Sequence, residues 1–208
     1  MFLWEWAGEY LAQSKALAEN WPDLSSGKEL SFEIYPSSTS SHFWASFNFG
    51  IISGIMRSIG PLPSITGGRV FVEWRGYEGG EGEMTFSKTN CGILRFYGNG
   101  HVQGNMRGGP CGSYYFEGTF DRTIPKKSES RQQDQVRRWK REWRGINHRN
   151  YEVKRKSRWG GWGGEEVNES AYESDTTNGD HAQEEINFDE FESDSDWEEY
   201  RGVTDEED

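Results

Sequence analysis

The sequence predicts a mainly β protein. The expected architecture is an antiparallel up-and-down meander curled into a small barrel or coiled sheet, with an N-terminal amphipathic helix, a basic helix after the barrel and a disordered acidic C-terminal tail. Three observations carry this. Between residues 29 and 122 the apolar side chains recur at period two, as strands with one buried face require. No helix-length periodicity interrupts that span. Glycines recur in the middle of the inward-facing set, where a flat, well-packed sheet has little use for them.

The strands follow in order. ELSFEIY places Leu30, Phe32 and Ile34 on one face, HFWASFNF places Phe43, Ala45, Phe47 and Phe49, and RVFVEWRG places Val70, Val72 and Trp74. Met84 with Phe86, Leu94 with Phe96, Val102 with Met106, and Tyr114 with Phe116 and Phe120 continue the pattern, and GGEGE, TNCG and YGNG punctuate it as turns. GIISGIMR (50–57) and GHVQGNMR (100–107) match at Gly, Gly, Met and Arg, and YYFEGTFDR (114–122) echoes them. Each sets a glycine between two large residues of one face, as in Ile52-Gly54-Met56, Val102-Gly104-Met106 and Phe116-Gly118-Phe120. Such glycines mark bends or close approaches where a sheet curls, which favours a barrel over a flat sandwich. The strand rhythm resembles that of calycin-type barrels, lipocalin-like or avidin-like, and the likeness implies the fold alone.

Ahead of the strands, Leu3, Ala7, Tyr10, Ser14, Leu17 and Trp21 alternate at spacings of four and three before Pro22. That spacing predicts a helix within residues 1–22, packed on the body. Beyond the strands the charge changes abruptly. Residues 1–122 carry 9 Lys and Arg against 12 Asp and Glu, residues 123–164 carry 13 against 4, and residues 165–208 carry 1 against 19. The expected division is therefore a helix (1–22), a β domain (29–122), a basic helix with a Gly/Trp linker (123–164) and an acidic tail (165–208).

Several function classes recede at this level. A hydrophobic fraction of 33% with an aromatic fraction of 15% allows a modest core of large side chains. No run of 18 apolar residues occurs, and the first residues, MFLWEWAGEY, lack the positive n-region of a signal peptide. No transmembrane segment is expected, and the expected location is intracellular, nuclear or cytoplasmic. Cys91 and Cys111 read as ordinary thiols. No metal-ligand or cofactor motif is present, and neither is expected. His42 and His101 stand in no catalytic motif, so no catalytic residue is assigned. Glu73 and Glu117 form the one carboxylate pair to inspect for acid–base work, although alternation turns both toward solvent.

The stretch RRWKREWRG (137–145) sets tryptophans among cations. Val136, Trp139, Trp143 and Ile146 recur at three, four and three, which makes them the apolar stripe of a helix. Arg137, Arg138, Lys140, Arg141 and Arg144 fill the rest of its circumference. Ser130 with Gln133 offers a capping box and Gly145 a stop. The stripe can dock on the barrel or meet a partner. The cations, with Trp139 and Trp143, form the candidate binding segment, whose partner through residues 126–158 is a nucleic acid or an acidic protein.

A second candidate surface is the outward sheet face, where aromatic and arginine residues mix: Trp44, Arg75, Arg95 and Tyr97. The alternative for these residues is cover by a helix. In the tail, INFDEFESDSDWEEY (186–200) spaces Phe188 from Phe191, and Trp197 from Tyr200, by three within an acidic field. This is the composition of a segment that meets a basic protein or serves as an activation-type anchor. The expected function is a non-catalytic intracellular interaction protein, with a basic segment for an anionic partner and a competing acidic tail. A small-ligand carrier using the barrel interior is the rival, and an enzyme with a carboxylate site is third.

Overall fold

The computed structural model describes residues 6–22, 30–38, 42–59, 66–80 and 82–159. Strands β1 (Gly8–Gln13), β2 (Leu30–Pro36), β3 (Phe43–Asn48), β4 (Ile52–Ser58), β5 (Arg69–Glu78), β6 (Met84–Thr85), β7 (Cys91–Tyr97), β8 (His101–Arg107) and β9 (Ser113–Phe120) pair antiparallel throughout. Eight of them form a ring in the order β1-β2-β3-β4-β5-β7-β8-β9, closed by pairing of β9 with β1, while the two-residue β6 adds to the end of β5. Helix α1 (Lys15–Asn20) follows β1, and α2 (Glu129–Gly145) and α3 (His148–Trp159) follow the barrel. Closure leaves no free long edge in the ring, so the backbone polar groups of all eight strands find partners.

The N-terminal helix expected over residues 1–22 is corrected. Residues 8–13 are the strand that closes the ring, with Tyr10 opposite Phe32 on one side and Phe120 on the other. The four-and-three spacing reads as helical, but Gly8, Tyr10 and Ala12 also share a strand face, and pairing on both sides outweighs local propensity. After β1, Lys15–Asn20 is helical, capped by Ser14, whose hydroxyl accepts from the Leu17 amide and donates to the Tyr115 carbonyl.

Inside the ring the alternating residues meet as the period requires. Phe32, Ile34, Phe43, Phe47, Met56, Val72, Trp74, Leu94, Met106, Tyr114 and Phe116 belong to one buried cluster. Aromatic rings bridge strands that are not neighbours: Phe43 of β3 lies 6.0 Å from Phe96 of β7, and Phe49, just after β3, lies 4.8 Å from Phe116 of β9. At one end Trp6 stacks on Phe96 at 4.4 Å. The repeated glycines let the walls come this close. A Cβ on Gly104 would sit 2.1 Å from the Phe116 ring, and one on Gly54 would sit 2.2 Å from the Arg75 carbonyl oxygen and 2.6 Å from the Gly76 Cα.

Candidate anion-binding surface

A second buried cluster lies on the outside of the barrel. Ala7, Tyr35, Trp44 and Ile55 from β2, β3, β4 and the residue before β1 meet Val136, Trp139 and Trp143 of α2. Alternation turns Tyr35, Trp44 and Ile55 outward, and a barrel this small gains stability by covering them with a helix that has its own apolar stripe. Trp139 stacks on Tyr35 with centroids 5.5 Å apart and planes 13° off parallel. Trp143 meets Trp44 edge to face at 5.7 Å. Ile146, the next residue of the stripe, is fully buried.

Cations and carboxylates hold both ends of α2. The Arg75 guanidinium lies 4.6 Å over the Trp143 ring and donates to the carbonyls of Trp143 (3.3 Å) and Ile146 (3.1 Å) at the C-terminal end of the helix, where the Trp143 carbonyl also accepts from the Ile146 amide at 3.3 Å. Arg57 approaches the same ring at 5.0 Å and is ion-paired with Glu73. Before the helix starts, Lys127 pairs with Glu33 and, at 3.1 Å, with Glu9. Burial pulls the Lys127 pKa down, but its bonds to the two carboxylates outweigh that and raise it. Gln132 donates to the Lys127 carbonyl at 2.7 Å, and Gln133 donates to the Pro36 carbonyl at 3.4 Å. The expected capping box of Ser130 and Gln133 is corrected accordingly: the N-cap is Ser128, without a side-chain capping bond, and Gln133 is drawn to the barrel. The stop at Gly145 falls where the sequence placed it.

Docking sorts the candidate residues of the basic segment. Trp139 and Trp143, 2% and 6% exposed, are packed on the barrel. Arg137, Arg138, Arg141 and Arg144 are exposed; Lys140 is half-buried with its ammonium 5.7 Å from the Trp44 ring. Arg137 pairs with Asp134 on its own helix. Lys127, Arg131, Gln135, Arg138 and Arg141 line an open cleft of about 470 Å³ together with Asp134 and Arg137. Among the described residues none supplies a hydrogen bond or ion pair to the guanidinium group of Arg131, Arg138, Arg141 or Arg144. Arg131, absent from the sequence-based set, joins the site because one helix turn before Gln135 brings it onto the same face.

Helix α3 is held differently. Tyr151 donates its hydroxyl to Glu83 at 2.9 Å, its ring lies 6.0 Å from Phe86, and Lys154 sits 5.0 Å over Tyr77. The polar hairpin GYEGGEGE thus serves as a seat for this helix through Tyr77 and Glu83. Asn147 caps it by accepting from the Asn150 amide at 2.9 Å. Lys154, Arg155 and Lys156 remain exposed.

The outward sheet face splits in two. Trp44 and Arg75 lie under α2, so their assignment as a free binding surface is corrected. Arg95 and Tyr97 lie on the β7–β9 side, half-buried. There Tyr97 donates to Gln103 (2.8 Å), Gln103 donates to Glu117 (3.0 Å), Tyr115 donates to Glu117 (2.6 Å) and His101 stands 3.9 Å from the same carboxylate. Glu117 is therefore an acceptor in a polar chain, and Glu73, three strands away in the ring order, is bound to Arg57 on the neighbouring strand. With β7 and β8 between them they stand roughly 14 Å apart by strand spacing, too far to share one reacting group.

Within the barrel, the Tyr114 hydroxyl is buried with no hydrogen-bond partner among the described residues, and desolvation keeps it a neutral phenol. Burial, then the nearby Glu78 charge, pushes the Cys111 thiol up to about 12, so it is protonated at neutral pH. Among the described residues no group of three His, Cys, Asp or Glu is placed to hold a metal ion, and no helix is long and apolar enough to cross a membrane. Residues 165–208, including the 186–200 segment, lie outside the described residues.

The class defined here is an eight-stranded antiparallel barrel that carries a basic helix on its outer wall. No family model, no curated protein and no solved structure matches the chain.

Proposed function

We propose that the protein is a non-catalytic interaction module of the nucleus or cytoplasm, in which the barrel is a rigid base for α2 and the outward cations of that helix bind an anionic partner, nucleic acid first. The observation that carries this reading is the division of labour around α2. Its tryptophans are spent on the barrel, while Arg131, Arg138, Arg141 and Arg144 are exposed and make no ion pair among the described residues. An arginine fork held on a fixed helix is suited to phosphate oxygens and loses little entropy on binding them. An acidic protein is the other partner of matching charge.

The tail of residues 165–208, with 19 carboxylates against one cation, acts in this reading as a polyanion that competes for the same row. Its aromatic-acidic stretch, 186–200, is offered to a basic protein or an activation-type partner.

Fluorescence anisotropy of a labelled oligonucleotide, titrated at several salt concentrations with the full chain and with a chain ending at residue 164, tests the reading. The shorter chain is expected to bind more tightly and with a steeper salt dependence, because more cations are free to displace counterions. A folded, soluble shorter chain with no binding at low salt sinks it.

One observation favours the carrier reading as second choice: the unpartnered Tyr114 hydroxyl is a handle that a small polar ligand could use. Against it stands the aromatic filling of the interior, since eight strands enclose little beyond their own side chains.

A further inference from the structure

We infer that the partner of the basic row is the phosphate backbone of a double-stranded nucleic acid, bound in preference to a single strand. This rests on the nucleic-acid reading above and narrows it. Proteins that hold single strands combine a cationic groove with aromatic side chains on which bases stack. Here the aromatics of α2 and the described aromatic of α3 point the other way. Trp139 is closed against Tyr35, and Trp143 is closed against Trp44 and beneath Arg57 and Arg75. Tyr151 is tied to Glu83 and Phe86, and Tyr77 lies under Lys154. The exposed large apolar residues among those described are Leu11, Ile124 and Val153, none of them a stacking platform.

The polar side chains tell the same story. Four of the five amides of α2 and α3 are used on this chain's own backbone, Gln132 on Lys127, Gln133 on Pro36, Asn147 on Arg144 and Asn150 on Gly145, which leaves Gln135 in the cleft. What faces outward is charge on a rigid rod. At 1.5 Å per residue, Arg131 to Arg144 spans roughly 20 Å of helix axis, with Arg131, Arg138 and Arg141 on the cleft side and Arg144 further round the outer surface. A duplex offers a stiff surface with one phosphate per about 1.7 Å of axis, twice the linear charge density of one of its strands. Cations fixed on a helix meet that surface without ordering it, whereas a single strand must be ordered and gains no stacking from the described aromatics in return.

The test uses the full chain at low salt and anisotropy of a labelled DNA duplex, the RNA duplex of the same sequence, and their separate strands. At least one duplex is expected to bind about fivefold or more tighter than either of its strands, and the DNA and RNA arms show which backbone is favoured. Replacing Arg131, Arg138 and Arg141 together by Ala is expected to lower the log–log salt slope for that duplex by about 2.7, at 0.9 per lost phosphate contact, with thermal melting unchanged. Single strands bound as tightly as the duplexes overturn the inference, and so does an unaltered slope in the triple variant. Failure of every nucleic acid to bind is a different result, which sinks the proposed function itself.

Discussion

Arg75 of β5 and Trp143 of α2 are joined twice: the guanidinium lies 4.6 Å from the indole centroid and also donates, at 3.3 Å, to the Trp143 carbonyl. One side chain thereby covers the aromatic that docks the helix and satisfies the end of the helix that carries it. Desolvation lowers the Arg75 pKa from an ordinary value far above neutrality, so the group stays charged and both contacts persist at neutral pH.

Replacing Trp143 by Ala is expected to cost about 3–5 kcal/mol in chemical denaturation, in line with other buried aromatic truncations. Arg75→Ala is expected to cost about 1.5–3 kcal/mol through its charged hydrogen bonds. Arg75→Lys should recover little, because a point charge cannot both stack on the ring and span two carbonyls. Unchanged unfolding midpoints for Trp143→Ala would mean that the stripe is not docked.

The two repeated glycines are expected to differ in tolerance. A Cβ at Gly54 meets backbone, the Arg75 carbonyl oxygen at 2.2 Å and the Gly76 Cα at 2.6 Å, whereas a Cβ at Gly104 meets the side chains of Phe116 and Leu94. Side chains can move and paired strands cannot. Gly104→Ala should cost about 1–3 kcal/mol as overpacking, and Gly54→Ala more than Gly104→Ala, both read from urea unfolding. The reverse order would contradict the close approach of β4 and β5.

Glu142 supplies a pH dependence. Desolvation raises its pKa above the ordinary 4.5, and Arg138 only partly offsets this. A carboxyl with a raised folded pKa destabilises the fold when ionised, so its penalty is absent below about pH 4.5 and sets in as pH rises through the folded value. Glu142→Gln, which resembles the protonated form, should therefore melt higher than the parent at pH 7 and equal to it near pH 4. A gain that persists unchanged into acid would point to some other cause.

The strands were legible because burial on one face writes a period of two into the chain, and Phe32, Ile34, Phe43, Phe47, Val72 and Trp74 are inward as the alternation requires. The identity of β1 was not legible. Tyr10, Leu17 and Trp21 satisfy a helical period, and the pairing that makes residues 8–13 a strand comes from Leu30–Ile34 and from Glu117–Phe120, more than a hundred residues away. The tryptophan stripe could be read, but its destination could not. That depends on Tyr35, Trp44 and Ile55 lying side by side on the outer wall, which sequence shows only as three outward residues of three separate strands. The period of two pairs Phe86 with Met84 on the inward face, but Phe86 follows a two-residue strand and lies against Tyr151 of α3 instead.

The central claim is that α2 is part of the body of the protein, so that it presents cations and not tryptophans. Hydrogen–deuterium exchange of the full chain tests this most directly, because a helix of this length exchanges quickly in water unless it is packed. The expected result is that amides of residues 133–146 exchange as slowly as those of β2, β3 and β4. Exchange of that segment at the rate of an unfolded peptide, while the strands stay protected, would contradict it.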